Sequence, residues 1–402
     1  MKPTLFGYGL TTKAIASKLG GGCVFFDDNC KESYTDTQNN TIHPSSLFVP
    51  DKSSLEVTTP SLPPKHPLIQ SAKNLLSEYD YFLANKTKKP FTIWISGTNG
   101  KTTTTQMLTH LLANKGAISG GNIGTPLAKL DFNAPIWVLE TSSFTLHHTK
   151  LASPDIYILL PITPDHLNWH GDMQSYTQDK LKPLTTMKEG ELALIPKGLD
   201  IPKSDAYIVE YDSNEFLASY FDIDISKLNF KGAFLQDALL SLAVTKVLFD
   251  SVDYELMNSF VRDEHRQEEI TDSQDRLWVN DSKATNLDAT IQAIQTYQDR
   301  YMHLILGGDD KGVNLDELFI LLQKLPVSIY AIGSNTQKLI SLASTYNIKA
   351  HKCDTLQNAI KLIDKVHTKE SIALLSPAAA SLDQYPSYKA RGDEFKTLVK
   401  AL

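Results

Sequence analysis

The chain is poor in cysteine, in basic runs and in long apolar stretches, and each shortage removes a class of answer. Three cysteines in 402 residues, Cys23, Cys30 and Cys353, are odd in number and unpatterned. They give neither a disulfide framework nor a zinc site, and they suit a reducing compartment. No basic run stands out and the formal net charge is −7, which argues against a nucleic-acid partner but says nothing against a local nucleotide pocket. No transmembrane run is seen, and the start, Met1-Lys-Pro-Thr-Leu-Phe-Gly-Tyr-Gly-Leu10, is too short and too glycine-broken for a secretory signal. Internal repeats and low-complexity tracts are absent too. The expectation is a soluble, cytoplasmic, monomeric protein of two or three domains with no membrane partner.

What is present begins with Phe91-Thr-Ile-Trp-Ile-Ser96 followed by Gly97-Thr-Asn-Gly-Lys-Thr-Thr103. It reads as a buried strand delivering a glycine loop, a lysine and a hydroxyl to a helix start. Gly97 and Gly100 let backbone N–H groups turn around oxyanions, Lys101 can reach the β- and γ-phosphates, and Thr102 can offer its hydroxyl to Mg²⁺. The generic phosphate-loop pattern also wants a glycine where this chain has Ile95, so it is met in part. A nucleoside triphosphate is the first ligand to consider.

Strand-like apolar runs alternate with helical patterns almost throughout, the sign of α/β architecture with parallel sheets. The first block opens on Thr4-Leu-Phe, Gly7-Tyr-Gly9-Leu-Thr-Thr12 and a strand Cys23–Phe26 ending in Asp27-Asp28, a Rossmann-like outline whose third glycine position holds Thr12. A proline-rich segment, Thr58–Pro67, and a polar linker, Asn85–Pro90, end it near residue 88. The second block carries the phosphate loop and strands at Ile136–Leu139 and Ile156–Leu160. Near residue 263 a hairpin, Glu268–Thr271 with Arg276–Val279, opens a third block with strands at Met302–Leu306, Val327–Ile332 and Ile372–Leu375.

Two strand ends in the second block present candidate metal ligands, since ligands in parallel sheets gather at carboxyl ends. Glu140 suits Mg²⁺, and His166 is a less usual ligand for a second site. His166 and His170 lack the inserted glutamate of a zinc-helix pair, which favours an ordinary capping or core histidine. From spacing alone Lys180 reads as a solvated helix lysine. Three strand exits in the third block, Asn280-Asp-Ser-Lys-Ala-Thr-Asn286, Gly307-Gly-Asp-Asp-Lys-Gly312 and Ser376–Tyr385 with Arg391–Phe395 behind it, predict one ligand crevice of the kind found between domains.

Taken together, Gly97–Thr103, Gly120-Gly-Asn-Ile-Gly124, Leu139-Glu-Thr-Ser-Ser-Phe144, Asp165-His-Leu, Asn280–Asn286, Gly307–Lys311 and Ser381-Leu-Asp-Gln384 resemble the Mur ligase family of peptidoglycan synthesis, in order and spacing, over nearly the whole chain. The nearest branch is the one that adds D-glutamate to UDP-N-acetylmuramoyl-L-alanine. The resemblance implies three domains: a Rossmann-like UDP-binding domain at 1–88, a central P-loop ATPase domain with a parallel sheet at 89–262, and a Rossmann-like amino-acid-binding domain at 263–402.

It implies ATP and two Mg²⁺ sites as cofactors, with Thr102 and Glu140 at one ion, His166 at the second, and Lys180 carrying a carbamate. Gly97, Thr98, Asn99, Gly100, Lys101, Thr102 and Thr103 would hold ATP together with Arg266, Asn280 and Asp281. Asn122, Thr141, Ser142 and Ser143 would contact the muramoyl-alanyl part. Gly9, Leu10, Thr11 and Asp27 or Asp28 would contact the uridine end. Lys283, Thr285, Lys311, Ser381, Leu382 and Tyr388 would hold D-glutamate. One departure stands out: where relatives carry Gly-x-His-Asn-x-x-Asn-Ala, this chain has Gly232-Ala-Phe-Leu-Gln-Asp-Ala238, with Asp237 replacing the adenine-side asparagine.

Rival readings are a relative with another amino-acid specificity and a nucleotide-binding relative that has lost catalysis. A folate ligase would lack the UDP-binding block and a diamino-acid ligase would carry Asp-Asn-Pro-Arg. Intact Lys101, Glu140, His166 and Lys180 oppose the silent relative.

Overall fold

The computed structural model describes residues 2–84 and 89–402. The expected linker residues 85–88, and with them the expected first boundary at 88, lie outside the described residues. The chain forms two compact units, Met1–Asn229 with Phe234–Phe260, and Phe230–Ala233 with Val261–Leu402.

The first unit contains two sheets. One is built from β1 (Thr4–Phe6), β2 (Val24–Asp27), β3 (Tyr34–Thr35), β4 (Thr41–Pro44), β5 (Glu56–Thr58) and β6 (Leu75–Leu76), in the order β3-β4-β2-β1-β5-β6 with only β3 antiparallel. The other is built from β7 (Phe91–Ser96), β8 (Ala117–Gly121), β9 (Ile136–Glu140), β10 (Ile156–Leu159), β11 (Leu192–Pro196) and β12 (Tyr207–Tyr211), in the order β12-β11-β10-β7-β9-β8 and parallel throughout. The central strands are apolar along nearly their whole length because helices cover both faces of a parallel sheet. Trp94 and Trp137 are fully buried there. Chain order reverses around β7, which places a crevice at its carboxyl end between β9 and β10.

The second unit holds β13 (Glu268–Thr271), β14 (Leu277–Asn280), β15 (Tyr301–Leu306), β16 (Val327–Ile332), β17 (Lys349–Asp354) and β18 (Ser371–Leu375), in the order β13-β14-β18-β15-β16-β17. The expected hairpin is β13–β14, antiparallel with Glu268 opposite Asn280. Its turn is pinned by Arg276, whose Nε donates to Asp272 at 2.7 Å. The fold class is mixed α/β with three parallel-rich sheets.

Among the described residues, the helix Gly232–Phe249 is long and apolar enough to cross a membrane. Its residues Leu239, Leu240, Leu242, Ala243 and Val244 are buried without exposure inside the protein, which is the behaviour of a core helix.

Candidate active site

The phosphate loop leaves β7 and enters the helix Lys101–Leu112. Gly97 has φ +141° and a Cβ there would lie 2.5 Å from Leu160 Cβ, while Gly100 has φ +82° and a Cβ there would lie 2.7 Å from an Asp237 carboxylate oxygen. Both positions therefore require glycine. The first turn of the helix leaves backbone N–H groups unbonded within the helix, a ready cradle for anions. Lys101 Nζ donates to the carbonyls of Gly97 at 3.0 Å and Thr98 at 2.7 Å. Thr98 Oγ1 meets the Tyr176 hydroxyl at 3.1 Å, and Thr104 donates to Asp237 at 2.9 Å. Asp237, expected on the adenine side, thus has its carboxylate against the loop itself.

Glu140 ends β9, the strand beside β7. It is buried and accepts from Thr102 Oγ1 at 2.7 Å and from Asn122 Nδ2 at 2.7 Å. A hydroxyl and a carboxylate held together at a helix start form an all-oxygen donor set that fits Mg²⁺. His166 follows β10, the strand on the other side of β7. Its φ is +53°, a left-handed conformation uncommon for a residue with a Cβ and enriched at functional sites. Its imidazole is half exposed, stands 3.4 Å from Asp165, and packs on the Phe144 ring at 4.8 Å. Burial lowers its pKa, with the nearby Lys101 and Lys180 charges acting in the same direction.

Lys180 overturns the solvated reading that its spacing implies. It is 1% exposed, and Nζ donates to the Gly97 carbonyl at 2.7 Å and to Ser96 Oγ at 3.4 Å. No carboxylate pairs with it among the described residues. Burial, with the Lys101 charge adding to it, pulls its pKa well below that of an ordinary lysine. The helix Met173–Leu181 lays Lys180 on its buried face, beside Tyr176. A neutral amine is the form that reacts with CO₂, so the site fits a carbamate.

A cavity of about 140 Å³ in the same unit brings Leu10 and Thr11 together with Asn122. Glu78, Tyr79 and His148 are among the lining residues that the sequence did not single out. Burial pushes the Glu78 carboxyl up to about 7 although it accepts the Ala128 N–H at 3.1 Å. Burial also takes His148 down to about 4. Asp27, at the end of β2, accepts the Tyr8 N–H at 2.6 Å and so shapes the first glycine turn.

The His166 and His170 pair does not act together as zinc ligands would. His170 is a core histidine, as its spacing predicts, and joins a network that no residue spacing announces: Nε2 meets Ser143 Oγ at 2.9 Å and Nδ1 meets Asp179 at 2.8 Å. Asp179 also meets His147 Nδ1 at 2.9 Å. Burial raises the Asp179 pKa, but the hydrogen bonds from the two histidines outweigh it and hold the carboxyl below its usual range.

In the second unit the three expected strand exits belong to β14, β18 and β15, which are neighbours. Arg391 ties them together. It is 1% exposed, and its guanidinium donates to Ser282 Oγ at 3.0 Å and to the carbonyls of Ser282 at 2.9 Å, Ala379 at 3.2 Å and, at the longer distance of 3.5 Å, Gly307. Burial lowers its pKa to about 10. Lys283 Nζ lies 4.2 Å over the Tyr388 ring. Leu382 is strongly exposed, Lys311 has φ +51°, and Thr285 is exposed. Asn280 and Asp281 are buried: Asn280 Nδ2 meets His265 at 2.9 Å and Asp281 accepts from Ser376 Oγ at 2.8 Å. Burial pushes Asp281 up to about 7. A cluster of Glu264, His265 and Asp393 is also present, but Lys396 Nζ stands 3.1 Å from Glu264 and 3.6 Å from Asp393 and supplies its positive charge.

Residues 95–237 match the Mur ligase middle domain. A Campylobacter jejuni (strain 81-176) protein named UDP-N-acetylmuramoylalanine–D-glutamate ligase is 49% identical over 405 residues, covering 100% of both chains. The chain belongs to the Mur ligase family. A second Mur ligase of the same name, from Helicobacter pylori (strain HPAG1), is 45% identical with 99% of each chain covered. The crystal structure of MurF ligase from Thermotoga maritima in complex with ADP superposes with a TM-score of 0.59 over 94% of each chain at 15% identity, a likeness of Mur ligase fold.

Proposed function

We propose that this Mur ligase joins D-glutamate to UDP-N-acetylmuramoyl-L-alanine at the expense of ATP, in the cytoplasm and as a monomer. The carrying observation is the 49% identity, along the whole length of both chains, to a relative that bears the name of this reaction. On this reading residues 1–88 bind the UDP end, 89–262 bind ATP, and 263–402 bind the amino acid. Lys101 neutralises phosphate charge, exchanging the carbonyls of Gly97 and Thr98 for phosphate oxygens, and the loop N–H groups orient the triphosphate. The alanyl carboxylate attacks the γ-phosphorus, giving an acyl phosphate and ADP. The amine of D-glutamate then attacks the acyl carbon, loses a proton, and expels phosphate.

Thr102 and Glu140 would hold one Mg²⁺, and His166 with carbamylated Lys180 a second. The ions, when bound, supply charge neutralisation of the phosphate and carboxylate oxygens. Burial of Lys180 without an ion pair supports the carbamate, because it favours the neutral amine. Asn122, Thr141, Ser142 and Ser143 contact the muramoyl-alanyl arm, and Leu10 and Thr11 the uridine end, with Asp27 shaping the turn. Lys283, Thr285, Lys311, Ser381, Leu382 and Tyr388 hold D-glutamate, with Asp237, Asn280, Asp281 and Arg266 assigned to the nucleotide. The test is ATP consumption with UDP-N-acetylmuramoyl-L-alanine across a panel of amino acids. D-glutamate alone is expected to drive phosphate release, and equal release with another amino acid would reassign the specificity.

A further inference from the structure

Among the described residues, the cavity of about 140 Å³ has no lysine or arginine in its wall, and its one carboxyl belongs to Glu78. A pyrophosphate calls for cations around it, so this space fits an uncharged part of a ligand. His148 forms part of the wall. It ends the helix Ser143–His148, is 3% exposed, and its Nε2 stands 3.0 Å from the Leu62 carbonyl. A carbonyl only accepts, so Nε2 carries a proton and donates it there. The rings of His147 and Trp169 meet the imidazole at 89° and 86°, with centroids 5.0 Å and 5.9 Å away, and brace this orientation. Burial, and after it the neighbouring His147, takes the His148 pKa down to about 4, so the ring is neutral and Nδ1 is a bare acceptor. Among the described residues no protein group bonds Nδ1, and the atom is not sealed in the core.

We propose that His148 is a binding residue for the uncharged N-acetylated sugar of the substrate, its Nδ1 accepting a hydrogen bond from an N–H or O–H on that ring. This rests on the assignment of UDP-N-acetylmuramoyl-L-alanine as substrate, and it adds a contact that no motif supplies. Leu10 and Thr11, assigned to the uridine end, and Asn122, assigned to the muramoyl-alanyl arm, share the cavity wall with His148. Between those two ends the substrate has a diphosphate and a sugar, and only the sugar is uncharged and carries donors. Asn122 also donates to Glu140 at 2.7 Å, so the wall reaches the strand end to which the phosphate chemistry is assigned. A donor from the sugar satisfies the one ring nitrogen that the protein leaves open.

The test begins with His148→Phe, which keeps a ring but loses both nitrogens. It should raise KM for UDP-N-acetylmuramoyl-L-alanine about 10-fold, with kcat and the KM for ATP near the parent's, because the contact lies away from the reacting atoms. Two further variants separate the nitrogens. His148→Asn can set its carbonyl oxygen where Nδ1 was and should recover most of the affinity. His148→Gln can set its N–H where Nε2 was, keeping the Leu62 bond, and should bind as weakly as His148→Phe; this pair decides the matter if His148→Phe does not fold. Calorimetry with UDP alone, which has the ribose hydroxyls but not this sugar, should give the parent's affinity in every variant. Substrate analogues with an N-methylated acetamido group, or lacking one ring hydroxyl, identify the donor: one of them should bind the parent about 10-fold more weakly and lose nothing more in His148→Phe. An unchanged KM in His148→Phe, an equal loss of affinity for UDP alone, recovery by Gln rather than Asn, or no analogue that matches would overturn the proposal. Failure of the parent protein to bind UDP-N-acetylmuramoyl-L-alanine at all would instead overturn the substrate assignment.

Discussion

Among the described residues, each unit buries one long cationic side chain at 1% exposure without a carboxylate partner, Lys180 in the first and Arg391 in the second, yet the two behave differently. Lys180 has a point charge on a flexible stem with a carbonyl and a hydroxyl as acceptors, and burial takes its pKa far down. Arg391 spreads its charge over a planar fork with acceptors on Ser282 and Ala379, and burial takes it only to about 10. An amine deprived of water gives up its proton and becomes reactive. A guanidinium keeps its proton and becomes a strut. The first arrangement suits chemistry and the second suits holding three strand exits in register.

The sharpest way to break this contrast is at Lys180. Lys180→Ala is expected to lose at least about 100-fold in kcat, with partial recovery on addition of a small carboxylate such as acetate. Lys180→Arg should not recover, because a guanidinium takes no carbamate. Parental activity in Lys180→Arg would make the lysine a bystander.

Stability separates the two cations in the opposite direction. Arg391→Met strands the Ser282 and Ala379 carbonyls and should cost roughly 2–4 kcal/mol in urea unfolding. Lys180→Met removes a buried amine that has no ion pair and should fold within about 1 kcal/mol of the parent or above it. Equal losses in the two variants would erase the distinction.

Metal dependence comes next. Glu140→Gln keeps its shape but loses the charge that a hard cation prefers, so the Mg²⁺ concentration for half-maximal activity should rise about 10-fold. An unchanged Mg²⁺ titration would remove Glu140 from the metal shell.

The smallest effect extends the comparison to a buried acid. Glu78 titrates near 7 in the folded chain, raised from 4.5. Between those values the folded state keeps a proton that the unfolded state has lost, so stability falls as pH rises through this window and levels above it. Glu78→Gln lacks this titration, and its stability relative to the parent should improve by roughly 1–3 kcal/mol from pH 4.5 to pH 8. A difference that does not vary with pH would show Glu78 to be well solvated.

Strands that are mostly apolar and buried nearly throughout were legible from composition: β7 and β16 begin and end where the sequence predicts. Others were not. β17, Lys349-Ala-His-Lys-Cys-Asp354, is polar because it is an edge strand paired only with β16, and β3 and β6 are two residues long, too short for any periodicity. The phosphate loop, Glu140, His166 and the three strand exits of the second unit were legible because backbone geometry and charge at those points demand particular residue types.

The sequence by itself determined the alternation of strands and helices, the glycines at Gly97 and Gly100, and the family, because local sterics and motif spacing are written residue by residue. Only the tertiary structure decided that Lys180 is buried, that Arg391 spans three loops, and that Ser143, His170 and Asp179 share hydrogen bonds. Those facts depend on which distant segments exclude water from a side chain, and solvent exclusion is a property of the packed chain that no spacing of residues encodes.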